Sequence, residues 1–287
     1  MLIDTHAHLD YPDYASDLEN VLLRASDAGV TRILTVGTGI ESSRRAVALA
    51  ERFPSVYAIV GIHPTNVEEE PSHFIQSLRE IAKHPKVVAI GEIGLDYHHL
   101  PSEKLRPPSA LQAFGCEFSG EPEGIVLDGA YKLLQSQVFG PQLDLAVELG
   151  LNVVIHQRDA WEDTLRLLAP YTKRLSGVFH CFGGTLEQAE EVIALGHLVS
   201  FTGIVTFKNA ENVRATAAAV PANSYMLETD CPYLAPLPFR GKRCEPAYVR
   251  FVADTISQVR GENLDALARQ TTATAETFFR LRRTESP

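Results

Sequence analysis

The feature that most constrains this chain is an alternation kept up along its whole length: a short apolar run, then a longer amphipathic run, eight times over. The short runs fall at about Met1–Thr5, Arg32–Val36, Val56–Val60, Val87–Ile90, Asn152–Ile155, Gly177–Phe179, His197–Phe201 and Tyr225–Leu227. The longer ones fall at Asp17–Ala28, Glu41–Arg52, Pro71–Lys83, Asp128–Leu149, Asp159–Leu168, Thr185–Leu195, Asn209–Ala219, Pro246–Arg260 and Leu264–Arg280. The first set has the length of strands and the second the length and period of helices. Strands that alternate with helices require a parallel sheet. Eight such pairs in 287 residues predict an α/β fold, a single-domain (β/α)₈ TIM barrel over residues 1–287. A doubly wound open sheet is the rival, but no Gly-x-Gly-x-x-Gly follows the first strand.

Gly29, Gly150 and Gly196 end helices, Thr185 suits a cap and Pro71 a first helical position. The pattern breaks from about Leu100 to Leu127, where four prolines and three glycines interrupt any period. This stretch is expected to be an inserted loop after strand four, with a short helix near Ser109–Phe114. Gly140-Pro141 is expected to bend the helix that follows.

The net charge of −10 argues against broad, unspecific nucleic-acid binding, which needs a basic surface. It leaves room for a phosphate-bearing substrate at one local cationic site. Cys116, Cys181, Cys231 and Cys244 have wide spacings and no Cys-x-x-Cys pair, so they read as free thiols in a reducing cytosol. The opening Met-Leu-Ile-Asp-Thr-His lacks a basic n-region and a long apolar stretch. No run reaches the ~18 apolar residues of a membrane span. A cytoplasmic protein without membrane association is expected, and the oligomeric state stays open.

Ligand-type side chains recur at matching places. His6 and His8 follow strand one, and their i, i+2 spacing puts both on one face of a strand. Glu92 follows strand four, His156 strand five, His180 strand six and Asp230 strand eight. A barrel gathers all these ends at one rim. Any one alone is a strand end or a core histidine; together they predict a metal site. Four nitrogen donors and two carboxylates exceed one tetrahedral shell and predict two divalent ions, Mg²⁺, Mn²⁺ or Zn²⁺. Glu92 suits the bridge between them. Asp230 could hold an ion and also take the proton of the attacking water.

The segments IDTHAHLD, GIHP, GEIGLDY, VVIHQRDA, HCFGG, ETDCPYL and FRGKRCEP together resemble the TatD family of metal-dependent deoxyribonucleases, within the amidohydrolase-like barrels. The likeness runs from residue 3 to about residue 250. It implies a TIM-type barrel and metal-dependent hydrolysis of nucleic-acid phosphodiesters, often 3′→5′ from the end of a single strand. The family ligands carry over as His6, His8, Glu92, His156, His180 and Asp230. The resemblance pairs His6, His8 and Asp230 at one ion and His156 and His180 at the other, with Glu92 shared. The 100–127 insertion, Gly140-Pro141 and Cys244, where Asn is usual, depart from the family pattern.

Further residues are placed to meet substrate. His63 ends strand three at the same rim, as a phosphate contact or as the cap of its own Gly-x-His-Pro turn. Arg158 could neutralise a phosphate or pair with Asp159 or Glu162. Arg240, Lys242 and Arg243 form the densest basic cluster, suited to a nucleic-acid backbone or to a solvated turn. Phe182, Phe201, Phe207 and Tyr233 lie near strand ends, as core or as base-stacking platforms. His73, His84 and His197 read as surface residues, and His98 and His99 as borders of the insertion. Cys181 and Cys231 should point away from the ligands beside them. The expected activity is a two-metal phosphodiesterase on single-stranded DNA, with RNA or tRNA as further substrates of the same cleft. The alternative is an ester or amide hydrolase, foremost a deacylase of D-aminoacyl-tRNA. Glu92 stands where many such hydrolases carry a modified lysine, which favours the nuclease. A binding protein on an old enzyme scaffold should have lost ligands, and none is missing.

Overall fold

A computed structural model describes residues 1–71, 73–104 and 123–281. It places the strands β1 (Leu2–Ala7), β2 (Val30–Val36), β3 (Val56–Val60), β4 (Val87–Asp96), β5 (Asn152–Arg158), β6 (Gly177–Phe179), β7 (Leu198–Phe201) and β8 (Tyr225–Leu227) side by side in chain order, all parallel. Helices α1 (Leu18–Asp27), α2 (Ile40–Arg52), α3 (Phe74–Ala82), α4 (Pro101–Lys104), α5 (Glu123–Leu149), α6 (Trp161–Leu168), α7 (Leu186–Ala194), α8 (Glu211–Ala219), α9 (Val249–Arg260) and α10 (Leu264–Phe278) run between and after them. This is the expected (β/α)₈ barrel. Among the described residues no helix is long and apolar enough to cross a membrane.

The seam between β1 and β8 is closed by residues just beyond β8. Ala7 and Cys231 form a parallel bridge. Asp230 N donates to His6 O at 2.9 Å and His8 N to Cys231 O at 2.8 Å. Lower down, the buried Asp4 carboxylate accepts both the N–H (2.9 Å) and the hydroxyl (2.6 Å) of Thr229. Barrel closure and the placing of Asp230 beside His6 and His8 are therefore one event.

Side chains from alternate strand positions fill the barrel, among them Ile3, Leu34, Ile59, Ala89, Val154, Val178 and Met226. Phe278, Phe279 and Ala275 at the end of α10 pack onto the same cluster and plug the N-terminal mouth. Arg32, 3% exposed, is paired there with Glu276. The opposite mouth is left open.

Four boundaries differ from the sequence reading. β4 does not stop at Ile90: Gly91 to Asp96 continue it, with Gly94 opposite His156 and Asp96 opposite Arg158. Gly94 is required there, since its φ is +145° and a Cβ would lie 2.0 Å from His156 O. β5 likewise runs on to Arg158. Pro71 is not the first helical residue: Phe74 N donates to Pro71 O at 2.9 Å, a turn ahead of α3. Both margins of the 100–127 stretch are helical, in α4 and the start of α5; the helix expected at Ser109–Phe114 lies outside the described residues. α5 runs unbroken through Gly140-Pro141, although Pro141 has no N–H for the helix ladder. The Thr185 cap is present as a full capping box with Gln188.

Two glutamines of α5 bind strand ends as a neighbouring strand would. Gln142 accepts from Ile62 N (2.8 Å) and donates to Ile62 O (3.3 Å). Seven residues earlier, Gln135 accepts from Asp96 N (3.0 Å) and donates to Asp96 O (2.9 Å). Gln142 thus fixes the residue before His63, and Gln135 the last residue of β4.

Candidate metal centre

The open mouth holds a cleft of about 1370 Å³. At its floor the predicted ligands converge. β1 alternation sends His6 and His8 the same way, and their Nε2 atoms lie 3.3 Å apart. Asp230 reaches them from a left-handed backbone (φ 57°), with Oδ1 3.7 Å from His6 Nε2 and 3.4 Å from His8 Nε2. Glu92, 3% exposed on the extended β4, stands between two sets of nitrogens. Its Oε2 is 3.3 Å from His6 Nε2 and 3.9 Å from His8 Nε2. Its Oε1 is 2.7 Å from His156 Nδ1 and 2.6 Å from His180 Nε2. Among the described residues three donor triads result: His6, His8 and Asp230; His6, Glu92 and His180; and His63, Glu92 and His156. Nitrogen and carboxylate donors in this proportion suit Zn²⁺ and Mn²⁺ and admit Mg²⁺.

The outward ring nitrogens decide which nitrogen faces the cluster. His8 Nδ1 is 3.2 Å from Val36 O, so Nε2 is left for an ion. His156 Nε2 is 3.1 Å from Asp96 Oδ2, so Nδ1 is left. His180 Nδ1 points at Glu228 Oε1, 3.6 Å away. Such outer partners orient metal-binding imidazoles. Among the described residues neither His6 Nδ1 nor His180 Nδ1 has a hydrogen-bond partner.

His63 behaves differently. Its Nδ1 accepts from Thr65 N at 3.1 Å, so the neutral ring carries its proton on Nε2, 3.4 Å from Glu92 Oε1. It both caps its own turn and aims an N–H into the cleft. Burial, more than the neighbouring charges, pushes its pKa down, which favours that neutral form.

The remaining groups balance one another. Burial alone would raise the Glu92 carboxyl, but His180, His63 and His156 outweigh it and hold it well below the ordinary range. Burial likewise opposes, and His8 and His6 reverse, the shift of Asp230, which is lowered. The imidazoles respond in kind: against burial, Asp230 raises His8, Asp96 and Glu92 raise His156, and Glu92 and Glu228 raise His180 well above the usual value. Divalent cations would replace these imidazole protons as partners of the carboxylates.

Two buried carboxylates, Asp96 and Glu228, join the site beyond the residues expected from the sequence. Asp96, 1% exposed, lies four residues after Glu92 on the same strand face. Glu228, as buried, accepts from Cys181 N (2.6 Å) and Ser200 Oγ (2.7 Å). Even spacing from a ligand was the available signal for both, with Glu228 two residues before Asp230.

The outer residues separate into cleft and periphery. Arg158 lines the cleft, exposed, and among the described residues it pairs with neither Asp159 nor Glu162. Asp159 is engaged by His98 instead (3.1 Å). Arg243 is held by Asp17 through two 2.8 Å contacts, by Glu245 at 2.9 Å and by Asp13 O at 2.6 Å, so it ties its loop to the start of α1. Arg240 lies over the Phe207 ring at 4.3 Å. Arg240 and Lys242 are exposed outside the cleft lining. Phe182 and Phe201 are core residues. Tyr233 is 54% exposed in the cleft wall, edge-on to Tyr11, which stacks on His8 at 4.8 Å. His84 and His73 are peripheral, at Glu51 and at the start of α3.

Two expectations are overturned. Cys181 lines the cleft, because its left-handed backbone (φ 48°) breaks the alternation that would have turned it away. Burial pushes its thiol up to about 12, so it is no nucleophile. His197 is buried, accepting from Gly177 N at 3.0 Å.

Comparisons with known proteins agree with this fold. A family model described as TatD related DNase matches residues 3–280. An uncharacterized metal-dependent hydrolase, YabD, of Bacillus subtilis is 37% identical over 282 residues, covering 98% of this chain and 100% of that protein. The 3′-5′ ssDNA/RNA exonuclease TatD of Erwinia billingiae is 34% identical over 287 residues, covering 98% and 99%. The crystal structure of YJJV, a TatD homolog from Escherichia coli K12, superimposes with a TM-score of 0.82 at 30% identity over 98% of each chain.

Proposed function

Since the chain belongs to the TatD-related DNase family and is a metal-dependent hydrolase, we propose that it removes nucleotides from the 3′ end of single-stranded DNA with two divalent ions. RNA ends fit the same cleft. The observation that carries the reading is Glu92. Its two carboxylate oxygens face different donor sets, Oε2 toward His6 and His8 and Oε1 toward His156 and His180. That is the arrangement a bridging carboxylate needs. His6, His8 and Asp230 would hold one ion and His156 and His180 the other. When bound, the ions would acidify a water and neutralise charge growing on the phosphate oxygens.

The chain's own groups supply the rest. Asp230, kept ionised by the histidines around it, accepts the proton of the attacking water. His63 Nε2–H donates to a phosphate oxygen. Arg158, without an ion-pair partner among the described residues, neutralises a phosphate through its planar fork. Tyr233 offers an exposed ring on which an unpaired base can stack. The free thiols of Cys181, Cys231 and Cys244 suit a reducing cytoplasm.

The test is digestion of end-labelled single-stranded DNA with Mg²⁺, Mn²⁺ or Zn²⁺, with and without chelator, beside a His6→Ala/His8→Ala variant. Stepwise shortening from the 3′ end, lost with chelator and in the variant, is expected. Equal digestion by the variant, or none with any metal, overturns the proposal. A D-aminoacyl-tRNA arm separates the rival, since a deacylase frees the amino acid and leaves the strand whole.

A further inference from the structure

We propose that Asp96 is a positioning residue for His156: it sets which ring nitrogen faces the donor cluster, and it does so with an oxygen shared with His99 on the cleft wall. This rests on the reading of His156 as an ion ligand. Among the described residues the Asp96 side chain makes four hydrogen bonds. Its Oδ1 accepts the backbone N–H groups of His98 and His99, both at 2.9 Å. Its Oδ2 faces His156 Nε2 at 3.1 Å and His99 Nδ1 at 2.8 Å. The carboxylate is buried, and the Asp96 backbone is itself fixed on both sides by Gln135. Only acceptors stand at Asp96, so His156 must carry a proton on Nε2. Its other nitrogen, 2.7 Å from Glu92 Oε1 and 3.4 Å from His180 Nε2, can then present a lone pair to an ion.

The electronic consequence separates this role from simple packing. In Asp96→Asn the amide oxygen must stay on the two backbone N–H groups, or the turn is lost. The amide NH₂ then meets His156 Nε2 and His99 Nδ1. Donor now faces donor, and His156 relieves the conflict only by moving its proton to Nδ1, which blocks the nitrogen the ion needs. Asp96→Ala removes the carboxylate but leaves the ring free to adopt either tautomer. The isosteric change is therefore the more damaging one for ion binding, the reverse of what volume predicts. His99→Ala leaves Oδ2 available to His156 and should leave ion affinity within about twofold.

The experiment is calorimetric Mn²⁺ titration of the wild type, D96N, D96A, H99A and H156A, with thermal melts to confirm that each is folded. In D96N one binding step should weaken about 10- to 100-fold while the other stays within about threefold, with D96A between D96N and the wild type. Unchanged binding in D96N, or weaker binding in D96A than in D96N, overturns the proposal. Retention of every binding step by H156A would instead remove the reading of His156 as a ligand, and the proposal with it.

Discussion

Arg158 gives the most direct test of how the cleft grips a nucleic acid. Among the described residues lining it, Arg158 is the one Lys or Arg, against Glu92, Asp96, Asp159, Glu162, Asp163 and Asp230. The ions would offset the carboxylates at the floor, but the wall remains acidic around one guanidinium. Among the described residues, a strand therefore finds a single side-chain cation near the ions. Binding of single strands weakens with salt by about 0.7 log per log for each phosphate neutralised. The wild-type kcat/KM for a short single strand should thus fall with a slope near −0.7, and Arg158→Ala should bring it near zero. A charge-assisted contact is worth about 1.5–3 kcal/mol, or roughly 10- to 150-fold in kcat/KM; exposure puts Arg158 at the lower end. Arg158→Lys should keep the slope and recover part of the rate, because it keeps the charge and loses the fork. Initial rates on a fluorescent oligonucleotide between about 50 and 200 mM salt measure both quantities. A wild-type slope steeper than about −2, or an Arg158→Ala variant unchanged in slope and rate, would refute the reasoning. Arg240 and Lys242, outside the cleft, should matter only to strands long enough to leave it.

Other consequences are as specific. Because neighbouring carboxylates raise His8, His156 and His180, ions must displace protons. Metal addition should acidify a weakly buffered solution, and apparent affinity should climb as pH rises through neutrality; a flat profile between about pH 6 and 8 would contradict this. Gly94→Ala puts a Cβ 2.0 Å from His156 O at a φ of +145°, so it should cost more than about 3 kcal/mol in urea unfolding and loosen the ion site; near-native stability would show that β4 and β5 part without cost. Burial holds His197 down at about 4 against an ordinary 6.5. Between those values the unfolded chain takes a proton that the folded one refuses, so stability is lost as pH falls through that window, by up to about 3 kcal/mol. His197→Gln should unfold in urea with a clearly smaller pH dependence there than the wild type.

The strands were legible because their residues are apolar on both faces, as a sheet covered on both sides demands, and the ligands because each stands close after an apolar run. What stayed hidden depends on contacts distant in sequence. Gly91 and Gly94 look like strand terminators, yet the close approach of β5 makes Gly94 necessary and carries β4 on to Asp96. Cys181 defies alternation because its backbone turns left-handed, its N–H donating to Glu228. Arg243 reads as a free cation until α1 brings Asp17 to it. His197 reads as polar surface, but Gly177 N–H needs an acceptor inside.

Gln135 and Gln142 stand seven residues apart on α5, nearly two full turns, and each grips a different strand end. The helix thus acts as a gauge with two marks: one sets the height of His63, the other the height of Asp96. A residue added or removed between the marks would swing one amide about 100° around the axis and release one strand end. Residues added before Gln135 leave the gauge alone. The 100–127 stretch enters on that side, and so this chain can carry extra length there while the distance between the two ends of its site stays set by the pitch of a helix.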